Sequence, residues 1–172
     1  MATAVREQLA KAQHSAVHLE MRDSYMRDDP DFIAWQHGHR PDPTDRDSWW
    51  RPWLDVVTEA TGRGLVMRRA RIVSEPISDY IRYEYDGTFT NTAAGEQVRW
   101  LPRRQTRDLA LPGVDFWVFD QTTVIFNHFT GDGQWAEQGM ELSEDPALAK
   151  LCSTAFEAVW ERAIPHAQYQ PA

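Results

Sequence analysis

The sequence predicts an α/β fold, a single mixed sheet with helices packed on it, with an α+β arrangement as the alternative. Three observations carry this reading. Stretches of period 2 alternate along the chain with stretches of period 3.6. One strand-like run, Phe116-Trp117-Val118-Phe119, is apolar on both faces, as a central strand covered on both sides would be. The segment from Asp145-Pro146 to Ala163 places Leu148, Leu151, Cys152, Ala155, Phe156 and Val159 on one wide apolar stripe. Such a helix is suited to cover a sheet.

The elements follow in order. Thr3 to Gln13 predicts a short helix with a thin apolar face of Val5, Leu9 and Ala12. Val17, Leu19 and Met21 alternate with His18, Glu20 and Arg22, which predicts a half-buried strand, with a helix as the alternative over so few residues. Asp29-Pro30 opens a second helix, with Phe32, Ile33 and Trp35 on its apolar side, and Gly38 ends it. The polar, proline-rich run from Gly38 to Asp47 is the best linker candidate in the chain. It divides residues 1–47, an N-terminal helical and extended appendage, from an α/β core of residues 48–172. A third helix runs from about Trp49 to Thr61 and stops at Gly62-Arg63-Gly64. Leu65 to Val73 is a strand, and Pro76 begins a helix carrying Ile77, Tyr80, Ile81 and Tyr85. Glu96 to Leu101 is another strand. Phe116–Phe119 and Thr122–Phe129 form an antiparallel pair that turns at Asp120-Gln121, and Trp135 to Leu142 is an edge strand.

A chain of 172 residues makes one ordinary domain and buries roughly 70% of its unfolded surface, so it needs no covalent staples. Cys152 is the only cysteine, which excludes an internal disulfide and suits a core position. No apolar run approaches the roughly 20 residues of a membrane span, and the first residues lack the apolar core of a signal peptide. A cytoplasmic location without membrane association is expected. The net charge of -8 argues against sequence-independent binding of nucleic acid by the whole surface, so direct nucleic-acid binding is not expected.

Catalytic signatures are absent. There is no paired cysteine for zinc and no HExxH, GxSxG or GxxxxGK motif. Gly131-Asp132-Gly133-Gln134-Trp135-Ala136 fits GxGxxA formally, but Gly139 falls where the required helix would run, so it reads as a turn. His37 and His39 are two apart and lack an obvious carboxylate partner. His128 shares a strand face with Val124 and Phe126. Asp115 and Asp120 bracket an apolar strand, where carboxylates commonly cap turns. No catalytic residue, metal site or cofactor is assigned.

Charge segregation is the most unusual feature. Residues Arg63 to Arg107 hold nine arginines against five acids, on a chain that is acidic as a whole. Arg69 and Arg71 are two apart and share a strand face, and Arg99 could reach them from a neighbouring strand. Such a group could bind a small anionic ligand, or it could be an internal network paired with Glu75, Asp79, Glu84 and Glu96. Candidate ligand- or partner-binding residues are therefore Arg69, Arg71, Glu75, Asp79, Tyr80, Glu96, Arg99 and His128.

Several segments together resemble a family. They are His18-Leu19-Glu20 with Tyr25, Arg69 through Pro76, Asp79-Tyr80, Ala94-Gly95-Glu96, Leu101-Pro102-Arg103, Asp115 through Asp120, and Ala158 through Ala163. From about Ser15 to Tyr169 the pattern is similar to an actinobacterial domain-of-unknown-function family of small proteins, often encoded beside helix-turn-helix regulators. The element order is also similar to phospholipase-D-like sensor domains. That superfamily's catalytic motif is His-x-Lys. Lys11 and Lys150, the only lysines, do not follow a histidine at that spacing, so the resemblance implies a catalytically dead site.

The leading expectation is a non-catalytic binding or sensing domain of a regulatory system, with a helix-turn-helix regulator as partner and homo-oligomerisation as an option. The alternatives are an enzyme of unfamiliar type using His128 with Asp115, Asp120 or Glu20, and a protein-interaction subunit working through Trp49, Trp50 and Trp53. An enclosed pocket bordering Arg69 and Arg71 would favour the first. A flat exposed tryptophan patch would favour the last.

Overall fold

In the computed structural model, which describes residues 3–172, seven strands form one mixed sheet. Three run parallel: β1 (Ser15–Glu20), β2 (Val66–Val73) and β3 (Gln97–Pro102). The others pair antiparallel with their neighbours: β4 (Asp115–Phe119), β5 (Thr123–Phe129), β6 (Trp135–Ser143) and the short β7 (Ile164–Pro165). The order across the sheet is β6-β5-β4-β1-β2-β3-β7. Residues 1–47, set apart above as an appendage, supply the strand at the middle of this sheet.

The helices are α1 (Thr3–Lys11), α2 (Pro30–Gln36), α3 (Pro52–Gly62), α4 (Asp79–Ala93) and α5 (Pro146–Arg162). The starts of α2 and α5 fall where the sequence places them, while α3 begins at Pro52 and α4 at Asp79, each three residues beyond the expected Trp49 and Pro76. Asp29, Ser78 and Asp145 each cap a first turn by accepting a backbone N–H, and Pro30, Pro52 and Pro146 occupy first-turn positions where a missing N–H costs little. The β4–β5 connection, residues 120–122, turns at Asp120-Gln121, both at positive φ (48° and 60°), and the Thr122 N–H donates to the Phe119 carbonyl at 3.0 Å. Asp120 also ties the turn to β1: its carboxylate accepts the backbone N–H groups of Gln13, His14 and Ser15 at 2.8–2.9 Å.

The two sheet faces differ in chemistry. Helix α5 covers one face, where Phe156 and Val159 pack fully buried against Leu19, Ala70, Ile72 and Phe116. Helices α1 and α3 cover part of the other, packing Leu9, Leu54 and Val57 against Ala16, Met67 and Trp117. Two residues further along the same strands this second face turns polar. His18 and Glu20 of β1, Arg69 and Arg71 of β2, Asp115 of β4 and Asn127 of β5 are all buried there, at no more than 8% exposure. This face thus passes from apolar packing to buried charge beneath α4, whose Glu84, Thr88 and Asn91 meet it.

Candidate functional site

Parallel pairing of β1 with β2 sets His18 beside Arg69 and Glu20 beside Arg71. Because all four lie on alternate positions, they point to one face. Glu20 bridges the two arginines, accepting Arg69 Nη1 at 2.6 Å and Arg71 Nε at 2.5 Å. Arg69 Nε also donates to Glu96 at 2.9 Å, and Asn91 Nδ2 holds the other Glu96 oxygen at 2.6 Å. Arg71 donates to Thr88 Oγ1 at 3.1 Å and to Glu84 Oε1 at 3.3 Å. Burial alone would lift the Glu20 carboxyl, but Arg69 and Arg71 outweigh it and hold the group below the ordinary carboxylate range. Burial, followed by the Glu20 charge against it and the two arginine charges, leaves His18 neutral, its pKa well below the usual value. Its ring stacks on Trp117 with centroids 4.1 Å apart. Asn127 Nδ2 lies 3.4 Å from His18 Nε2, an arrangement in which the amide donates and the imidazole proton sits on Nδ1, 3.5 Å from Glu20.

Next to this network, Asp115 accepts the Tyr25 hydroxyl at 2.5 Å and the Met21 backbone N–H at 2.8 Å. Burial pushes its carboxyl up to about 6. Glu84 is pushed up to about 7, again chiefly by burial, with the Arg71 charge opposing. Its Oε1 faces Arg71, while its Oε2 is covered and has no hydrogen-bond partner among the described residues.

Above Arg71 and Glu84 lies a cavity of about 490 Å³. One wall is α4, through Tyr83, Gly87 and Phe89. The other is the end of α2 and the stretch leading into α3, through Trp35, Trp49 and Trp50. The segment read as a linker is therefore a cavity wall, anchored by aromatics at its two ends. Trp35 Nε1 donates to Asp86 at 2.9 Å and Trp50 Nε1 to Asp55 at 2.8 Å. Trp49 Nε1 is covered and donates to nothing among the described residues. Arg40 and Arg46 lie over the faces of Trp35 and Trp50, at 4.4 and 3.6 Å from the ring centroids.

The candidate residues are sorted by this geometry. Arg69, Arg71 and Glu96 meet in the network, with Glu20 and Glu84 as their further partners. Glu75 does not join them: it pairs with Arg104 and accepts the Tyr169 hydroxyl at 3.0 Å. Asp79 sits in the first turn of α4, and Tyr80 is buried among Tyr25, Phe32 and Tyr83. Arg99 is directed away, since its register partner is Ala70, which faces α5; Arg99 Nη1 donates to the Trp160 carbonyl at 2.9 Å. His128 pairs with Glu141 of β6 at 2.9 Å, toward the sheet edge. Trp53 is core, so Trp49, Trp50 and Trp53 form no flat exposed patch. His18, Asn127 and Asn91 are absent from the candidate set, and Glu20 enters it only as a carboxylate in the His128 enzyme alternative. The signal for Glu20 and His18 was their alternate spacing, matched to that of Arg69 and Arg71.

The model for a domain of unknown function, DUF6879, matches residues 3–171. The chain belongs to the DUF6879 family. No curated protein matches its sequence. Solved structures with a similar fold include NucT from Helicobacter pylori, at a TM-score of 0.55 and 10% identity, covering 94% of this chain and 88% of that one. Nuc from Salmonella typhimurium, a phospholipase D family member, is similar at 0.50 and 12% identity, with the same coverages. TrmBL2, an archaeal chromatin protein described as showing a novel mode of DNA binding, is similar at 0.50 and 15% identity over 93% of this chain; the chain spans 48% of TrmBL2. This DUF6879 domain therefore has a phospholipase-D-like fold. The expectation that direct nucleic-acid binding could be set aside is corrected by the likeness to TrmBL2. An acidic total charge is a sum over the whole chain and does not decide what one local surface binds. Among the described residues, no helix is long and apolar enough to cross a membrane, and no cluster of three His, Cys, Asp or Glu side chains could hold a metal ion.

Proposed function

We propose that this domain is a non-catalytic binding or sensing module of a regulatory system, whose ligand enters the cleft between α4 and the stretch from α2 to α3. The cleft itself carries the reading: an aromatic-walled cavity of about 490 Å³, within the size range of small-molecule sites, standing on a charge network whose arginines are paired internally. Arg69 and Arg71 are committed to Glu20, Glu84 and Glu96, so they act as a rigid floor.

The buried groups are poorly disposed for catalysis. His18 is neutral, sealed at 5% exposure and stacked on Trp117, which leaves it no path to a substrate. Lys11 and Lys150 are exposed on α1 and α5, away from the network. The TrmBL2 fold likeness adds nucleic acid to the ligands worth offering.

The test is a thermal-shift screen of the purified protein against a chemically diverse metabolite set and short oligonucleotides, alongside a generic phosphodiester hydrolysis assay. Saturable stabilisation by at least one compound, lost when the cleft is filled by Gly87→Leu, supports the reading. Phosphodiester hydrolysis by wild type that disappears in His18→Ala or His128→Ala would overturn it.

A further inference from the structure

Gly87 lies in the interior of α4 and forms part of the cavity wall. Glycine is among the weakest helix formers, and no local constraint asks for it here. Its φ is not positive, and a Cβ built on it would meet nothing within 4 Å. The missing side chain leaves open space on the cavity side of the helix. Trp49, Trp50 and Phe89 line the same cavity, with Trp49 edge-on to Phe89 at 5.3 Å and tilted against Trp50 at 5.6 Å.

Two residues of the lining carry covered polar atoms without partners, the Trp49 Nε1 donor and the Glu84 Oε2, which accepts when the carboxyl is ionised. A purely apolar ligand would leave both unsatisfied. Arg40 and Arg46 already lie over faces of Trp35 and Trp50, so stacking falls to Trp49 and Phe89. The fitting ligand is planar, stacks through its faces, and carries both a donor and an acceptor on its edge. Nucleobases have this chemistry, since every base presents a π-face and a polar edge.

We infer that the cleft holds a nucleobase, stacked on its aromatic wall in the space beside Gly87, with its donor edge toward Glu84 and its acceptor edge toward Trp49 Nε1. This rests on the binding reading above. Both polar atoms are covered by their own neighbours, so binding requires the segment between α2 and α3 to shift outward. That segment contains one short 3-10 turn at Arg46–Ser48, and Arg40 and Trp35 connect its start to α4 through Asp86.

The experiment is a titration of intrinsic tryptophan fluorescence, checked by calorimetry. The probes are the four common ribonucleosides, their monophosphates and a short mixed-sequence single-stranded deoxyoligonucleotide. At least one probe should bind saturably. Gly87→Leu should weaken it by about tenfold or more, because the side chain fills the ring's space. Circular dichroism should show this variant folded. Trp49→Phe keeps an aromatic face, though a smaller one, and loses the N–H, and should weaken binding about three- to tenfold. Binding of monomers assigns a free nucleoside or nucleotide, and binding of the oligonucleotide alone assigns one base of a single strand. Failure of every probe with folded wild type, or binding indifferent to Gly87→Leu, overturns the inference. If a compound without a nucleobase binds and Gly87→Leu blocks it, the binding reading stands and the nucleobase assignment falls.

Discussion

Arg71 and Glu84 meet at 3.3 Å where the buried charge network opens into the cleft. Arg71 also donates to Glu20 and Thr88, so its guanidinium is held from the sheet side and from α4. Glu84 contributes only one oxygen to that contact. The pair couples the rigid floor to the cavity, and its two members should respond to pH and mutation in different ways.

For Glu84 the expected signature is stability that falls as pH rises. Burial raises its folded pKa from 4.5 to about 7. The native state then keeps a proton that the unfolded chain has released, so the contribution is fully present below about pH 4.5 and is lost as pH climbs through about 7. A shift of this size corresponds to about 3 kcal/mol. Glu84→Gln removes the titration. Its stability relative to wild type should rise by about 1–3 kcal/mol between pH 4.5 and 8. Urea unfolding of both proteins across that range checks this, and Asp115, present in both, cancels in the difference. A flat difference would mean that Glu84 is ionised throughout.

Arg71 should behave as scaffold. Arg71→Met strands Glu20 and Glu84 without their shared cation, and removing one member of a buried ion pair costs about 3–5 kcal/mol. Combining it with Glu20→Gln should cost less than the sum of the two single changes, since the second substitution removes the charge that the first leaves unpaired. Additive urea midpoints would place the two residues in separate environments.

What was legible in the sequence was what local pattern decides. The stripe from Leu148 to Val159 lies in α5, though its Leu151 is exposed, and the turn at Asp120-Gln121 joins β4 to β5. The doubly apolar run Phe116–Phe119 is buried along its whole length. The network was only half legible. Alternation put Arg69 and Arg71 on one face, but it also read His18 and Glu20 as the solvent side of a half-buried strand. A pattern of period 2 separates two faces without saying which is covered; α4 covers this one, and only tertiary packing supplies it. Arg99 was placed with the other arginines because register across β2 and β3 cannot be read from one strand. The stretch from Gly38 to Asp47 has the composition of a linker, and its role as a cavity wall comes with Trp35 and Trp49, which flank it.

On the opposite face, Phe156 is fully buried among Leu19, Ile72 and Phe116 and stacks against Trp160 at 5.6 Å. Phe156→Ala should destabilise the domain by about 3–5 kcal/mol through lost burial and the cavity left behind. Because α5 lies across the sheet from the cleft, ligand affinity measured well below the melting temperature should be unchanged. A large affinity loss in a folded Phe156→Ala protein would show that the two faces are coupled.

Two glycines close to α4 should respond to alanine in opposite directions. Gly87 has ordinary helical backbone and empty space where a Cβ would go, so Gly87→Ala should gain helix propensity and stabilise by about 1 kcal/mol. Gly95 follows α4 at φ +96°, where an L side chain is strained, and its added Cβ would stand 2.7 Å from Thr61 Oγ1 and 3.0 Å from Thr61 Cβ. Thr61 has little room to yield, because its hydroxyl lies 3.0 Å from both the Val57 and Ala94 carbonyls and donates its proton there. The contact joins the end of α3 to the turn that delivers Glu96 to Arg69. Gly95→Ala should therefore cost more than the roughly 1–2 kcal/mol of left-handed backbone strain alone. Urea midpoints of the two variants, measured side by side, should move apart. A stable Gly95→Ala would mean that the turn relaxes without disturbing Thr61, and a destabilised Gly87→Ala would mean that the space beside α4 is filled in solution.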